Sequence, residues 1–104
     1  MSVQHYLGRY FYLAINMSEL AQRACLSERT LQRRFLKATG LGVNQYLQRL
    51  RVQKACDLLE SSQQTFETIA YDVGYQDVGS FRELFVREMG LSPKVFREKF
   101  RTLI

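Results

Sequence analysis

Arg29, Gln32 and Arg33 stand three and four residues apart, so on a helix they share one flank. With Leu31 set inward, Arg29, Gln32, Arg33 and Leu36 point the opposite way. Arginine can donate a bidentate pair of hydrogen bonds to guanine O6 and N7, and glutamine can pair with adenine N6 and N7. The competing explanation of such a flank is an ordinary solvated helix face. Fifty residues on the geometry recurs. With Phe81 inward, the outward positions are Gly79, Arg82, Glu83 and Val86, with Ser80 beside them. Here only Arg82 has an obvious base or phosphate role. Glu83 could accept from a cytosine amino group, repel phosphate, or pair with Arg87 four residues away. Catalytic chemistry is sparse by contrast. His5 is the single histidine and has no carboxylate or cysteine near it in sequence. No glycine-rich phosphate loop or nucleophile elbow is present. Cys25 and Cys56 form neither a disulfide framework nor a metal pattern and read as small core residues. No metal and no cofactor are expected.

The elements that must position these side chains have to fit into 104 residues. The composition is that of a folded chain, with 46% hydrophobic and 24% charged residues and one proline. That excludes disorder and collagen-like repeats. No apolar run approaches the roughly 18 residues of a membrane span, and no signal-peptide pattern opens the chain. No membrane partner is expected, and two cysteines read as reduced core residues fit a cytoplasmic location. Net charge is +5, unevenly placed. Residues 1–54 hold nine basic and two acidic residues, and residues 55–104 hold six basic and eight acidic. A polyanionic partner would be gripped mainly by the first half.

The chain also repeats itself. Leu20-Ala21 matches Ile69-Ala70 at an offset of 49, and Leu31, Phe35, Gly40, Leu41 and Tyr46 match Phe81, Phe85, Gly90, Leu91 and Phe96 at an offset of 50. Each copy reads as helix, tight turn, helix. In the first, Asn16 and Ser27 are N-caps, Glu19 completes a capping box, Leu31, Phe35 and Ala38 share a face, and Gly40 ends the second helix. In the second, Thr65 and Asp77 are N-caps, Gly74 takes the positive φ of the turn, and Gly90 is the stop. Ser92-Pro93 then opens a final helix in the favoured order of cap and N1 proline.

Between the copies a helix is expected over residues 43–60. Tyr46, Leu47 and Leu50 lie on one side of it; Val52, Ala55, Cys56 and Leu59 lie roughly on the other. A helix whose apolar side switches halfway suits one lobe at each end; the alternative is a helix buried all round in a single core. Arg51 on this helix reads as an intramolecular partner. The aromatic N-terminal stretch, Tyr6, Tyr10, Phe11 and Tyr12, reads as a helix packed on the first lobe, with a remnant linker or a partner-binding patch as the alternatives. The expected organisation is a lobe over residues 1–42, a linker helix over 43–60 and a second lobe over 61–104.

The strings LAQRACLSERTLQRRFLKATG, YLQRLRVQKACDLL and TIAYDVGYQDVGSFRELFVREMGLSPKVFR resemble the DNA-binding domain of the AraC/XylS family of bacterial transcription regulators. The resemblance runs from about Asn16 to Arg101. It implies an all-α fold of about seven helices, with two homeodomain-like helix-turn-helix lobes on a long linker helix. It implies sequence-specific binding of double-stranded promoter DNA, often as an activator that contacts RNA polymerase, and no enzymatic activity. Matching the family's groove-facing positions selects Arg29, Thr30, Gln32 and Arg33 in the first lobe and Gly79, Ser80, Arg82 and Glu83 in the second. The DNA-backbone set is Ser27, Lys37, Arg49, Arg87, Lys94 and Arg97. Leu36 stands where the family often has a basic residue, which implies one phosphate contact fewer in the first lobe. Glu83 stands where the family commonly has arginine or lysine, which implies weaker engagement of the second lobe. Most members carry a further domain for sensing or dimerisation; the domain alone is expected to be a monomer. The alternative function is a helical protein-interaction module without DNA binding, suggested by Glu83, Glu88 and the acidic second half.

Overall fold

The computed structural model describes residues 2–101, which form seven helices and no strand. In order they are α1 (Val3–Tyr10), α2 (Met17–Arg23), α3 (Glu28–Thr39), α4 (Val43–Ser61), α5 (Phe66–Asp72), α6 (Val78–Met89) and α7 (Pro93–Phe100). The expected second lobe runs to residue 104, of which 102–104 lie outside the described residues.

Local chemistry sets these boundaries. The side chains of Asn16, Ser27, Thr65, Asp77 and Ser92 each accept a backbone N–H in the first turn they cap. Gly40 and Gly90 close α3 and α6 in the left-handed conformation, at φ of 77° and 73°. The two recognition-type helices, α3 and α6, are each 12 residues long and each follow a seven-residue helix.

Two cores result. The first gathers Leu7, Leu20, Ala21, Leu31, Phe35, Val43 and Leu47, with Tyr46 and Leu50 packed against it. The second is built on Ile69, Ala70, Phe81, Leu84, Phe85 and Phe96 together with Val52, Ala55, Cys56 and Leu59. The apolar side of α4 thus changes partner midway, as its sequence predicts. At about 1.5 Å per residue, its 19 residues make a rod of ~28 Å between the lobes. The molecule measures 46 × 27 × 22 Å, which is the shape of two lobes side by side.

Three expectations are corrected. Ala38 is exposed, so the inner face of α3 consists of Leu31 and Phe35. Cys25 is exposed as well; it sits in the α2–α3 turn at φ 57°, outside the core. Cys56 alone is buried, and burial, followed by Glu60 and Asp57, pushes its thiol up to about 11. The aromatic N-terminus does more than pack on the first lobe. Leu7 is fully buried there and Arg23 lies over the Tyr6 ring at 4.9 Å, but Phe11 touches both cores.

Candidate nucleic-acid interface

The cap Ser27 and the stop Gly40 fix the span of α3, and Leu31 and Phe35 anchor its inner side. Its rotation is thereby set, and Arg29, Gln32, Arg33 and Leu36 come out exposed. They line one side of an open groove of about 620 Å³. Gly42, Val43, Asn44 and Gln45, at the start of α4, line the other, with Met17 at one end. Two guanidinium groups and a carboxamide therefore face a single concavity. Thr30 is placed differently. It is half-buried, and its Oγ1 accepts a hydrogen bond from Ser27 Oγ at 2.9 Å, inside the cap. Ser27 Oγ in turn accepts from the Thr30 amide. Asn44 and Gln45 were not singled out from sequence, although the repeat pairs Asn44 with Lys94 at the same offset of 50.

The second lobe offers an equivalent groove of about 540 Å³ with a different lining. Arg82 enters it, while Gly79, Ser80 and Glu83 are exposed outside it. The Arg82 guanidinium lies over the Phe66 ring, 5.4 Å from its centroid, which holds it against the lobe. Phe66 occupies the place of Met17 at the offset of 49. Ser80 Oγ donates to Asp77 Oδ2 at 2.8 Å, and the amides of Gly79 and Ser80 donate to Asp77 Oδ1. The bonds from Ser80, side chain first, hold the Asp77 carboxyl below its ordinary value.

Among the basic residues, Lys37, Arg87 and Lys94 are exposed, and Lys94 borders the second groove. Arg49 is exposed and lies 3.8 Å from Glu88, the one ion pair found among the described residues. Arg97 departs from expectation. Its Nε donates to the Leu59 carbonyl at 3.0 Å, and its Nη2 donates to the carbonyls of Ser62 and Gln64 at 3.2 and 2.6 Å. It caps the C-terminal end of α4 and braces the link to α5. Nε and Nη2 are held by the protein's own backbone, while the residue also lines the second groove; its first role is therefore structural. Arg51 is intramolecular, as its position on α4 suggests: Nε donates to the Phe11 carbonyl at 2.9 Å and Nη2 to the Leu13 carbonyl at 3.0 Å.

A twofold helix-turn-helix with paired grooves is the arrangement in which known proteins can be compared. A family model described as a helix-turn-helix domain matches residues 20–99. The transcriptional activator RhaS of Escherichia fergusonii is 40% identical over 93 residues, covering 89% of this chain and 34% of that protein. The chain belongs to the AraC-type helix-turn-helix family. Another relative, the transcriptional activator RhaR of Yersinia pseudotuberculosis, is 32% identical over 99 residues, covering 95% of this chain and 33% of its own length. The chain thus spans about a third of the curated AraC-type relatives it matches. Among solved structures, the DNA-binding domain of AdpA in complex with a target DNA superposes with a TM-score of 0.89 at 32% identity, covering 94% of this chain and 88% of that one. The C-terminal domain of AraT, a response regulator from Geobacillus stearothermophilus, gives a TM-score of 0.91 at 25% identity over 97% and 84%. The chain shares the all-α fold of these domains, with two homeodomain-like helix-turn-helix lobes.

Proposed function

We propose that this domain reads two successive major-groove segments on one side of promoter DNA, and that the first lobe supplies most of the sequence discrimination. The observation that carries this reading is the first-lobe groove, where Arg29, Gln32 and Arg33 stand exposed together. These three donors fit guanine and adenine edges. Gly79, Ser80, Arg82 and Glu83 give the second lobe a weaker reader. Thr30 serves chiefly to hold the start of α3. Phosphates are held by Lys37, Arg49, Arg87 and Lys94 and by the helix start at Ser27. Both lobes belong to one chain, so a monomer reads an asymmetric site. Because the named relatives are activators, the whole protein is read as an activator that touches RNA polymerase, acting in the cytoplasm and carrying out no catalysis. No described helix is long and apolar enough to cross a membrane.

Selection of binding sites from random duplexes tests the reading. The expected motif is asymmetric, with two segments about 10–10.5 base pairs apart and the stronger one under the first lobe. Absence of enrichment over competitor DNA would overturn sequence-specific reading. Enrichment of a single short segment would overturn two-lobe engagement.

A further inference from the structure

The three residues after α1 leave the first lobe and cross to the second. Phe11 packs against both cores. Its carbonyl and that of Leu13 are both held by the Arg51 guanidinium, from the middle of α4. The same guanidinium lies over the Tyr75 ring at 5.3 Å, in the turn of the second helix-turn-helix. Burial pushes Arg51 below its ordinary value, with Tyr75 opposing that shift. Gly74, next to Tyr75, closes the contact. A Cβ there would lie 2.9 Å from the Tyr12 carbonyl oxygen and 3.2 Å from Arg51 Nη2, and φ is +102°. One strap, one arginine and one glycine therefore join the first lobe, the linker helix and the second lobe's turn at a single point. α4 already packs into both cores, but each lobe meets it at a different end; the clamp adds a direct tie between the first lobe's strap and the second lobe's turn.

We infer that this clamp fixes the angle between the lobes, and that Arg51 and Gly74 are positioning residues that set the spacing at which two DNA segments can be read. The spacing role rests on the two-lobe reading above; the clamping role does not. Adding one base pair between the segments rotates the second by about 34° and moves it ~3.4 Å along the duplex. A rigid pair of lobes cannot follow both changes.

The test has two arms on the full chain, each with wild type, Arg51→Lys and Gly74→Ala. Arg51→Lys keeps the charge but loses the fork that serves two carbonyls. Gly74→Ala keeps the arginine in the sequence and drives a Cβ into the strap carbonyl and the guanidinium that holds it. In the first arm, affinity is measured for the selected duplex and for versions with one base pair added or removed between segments. Wild type should lose about tenfold or more on the altered spacings. Both variants should lose no more than about twofold, with binding to a duplex carrying only the first segment unchanged. In the second arm, spin labels on the exposed Cys25 and on Glu67→Cys report the distance between lobes; Cys56 is buried and stays unlabelled. The distance distribution should be narrow in wild type and broad in both variants, with helical content preserved by circular dichroism. Variants with the wild-type distribution overturn the clamp. Variants that broaden the distances yet discriminate spacing as wild type does overturn its role in spacing. A wild type indifferent to spacing sinks two-lobe reading and the spacing role together, and the distance arm then decides the clamp alone.

Discussion

Arg33 and Glu83 occupy the same place on their two helices and carry opposite charge. Arg33→Ala should weaken binding to the selected duplex by about 1–3 kcal/mol and relax one base position. Glu83→Ala should leave affinity unchanged or raise it, because a negative charge on the exposed flank of α6 is removed. A fluorescence-anisotropy titration checks both, and the reverse ranking would show the second lobe to be the principal reader. The cysteines differ just as plainly. In the native protein at pH 8, a thiol reagent should modify Cys25 rapidly and leave Cys56 protected, both reacting after denaturation; equal rates would contradict the burial of Cys56. Asp77 gives a pH signature. Its folded carboxyl titrates below the unfolded one, so its contribution is complete above about pH 4 and is lost as pH falls through the folded value. Asp77→Asn should flatten the fall in Tm below about pH 4, measured by thermal melts between pH 2 and 6. What sequence made legible here is orientation: Leu31 and Phe81 fix the inward direction and periodicity gives the rest. It did not distinguish Cys25 from Cys56, since both have apolar neighbours in the chain and burial depends on which turn the backbone takes.

The two turns compare the same element built with different residues. Cys25 and Gly74 correspond at the offset of 49, and both have positive φ, at 57° and 102°. A non-glycine residue in the left-handed region costs roughly 1–2 kcal/mol. Glycine removes that cost but loses some 0.5–1 kcal/mol of backbone entropy. Cys25→Gly should therefore raise stability slightly, by about 0.5–1 kcal/mol, seen as a Tm a few degrees higher in calorimetry. A lower Tm would mean that the cysteine side chain makes a contact worth more than its backbone strain. The second turn has no such latitude, because a Cβ there would lie 2.9 Å from the strap carbonyl oxygen of Tyr12. Elements as such were well marked in the sequence. Five N-caps, two glycine stops and the side-switching pattern of α4 each have a local cause. The crossing of residues 11–13 to the second lobe was not, because its cause is a guanidinium 38 to 40 residues distant, bonded to carbonyls that every residue has.

Across the whole molecule, basic residues divide between holding the protein together and facing outward, and charge count alone does not say which is which. Lys94 and Arg97 make the point within one turn of α7. Both follow the Ser92 cap, and both are cations on an amphipathic helix. Both line the second groove, and hydrogen bonding separates them: Lys94 is exposed, while Arg97 is half-buried and donates to three carbonyls of the α4–α5 link. An exposed cation on DNA displaces one counterion, so each phosphate contact adds about 0.9 to the slope of log affinity against log salt. Lys94→Ala should reduce that slope by about 1, weaken all sequences alike and leave Tm nearly unchanged. Arg97→Ala should do the reverse. Its slope should stay within experimental error of wild type, while stability falls by about 2 kcal/mol as charge-assisted hydrogen bonds are lost. Salt titrations and thermal melts of the two single variants, run side by side, separate the roles. If Arg97→Ala lowers the slope by as much as Lys94→Ala does, its guanidinium leaves the carbonyls to meet phosphate on binding, and the brace on α4 is then a resting position rather than a fixed part of the fold.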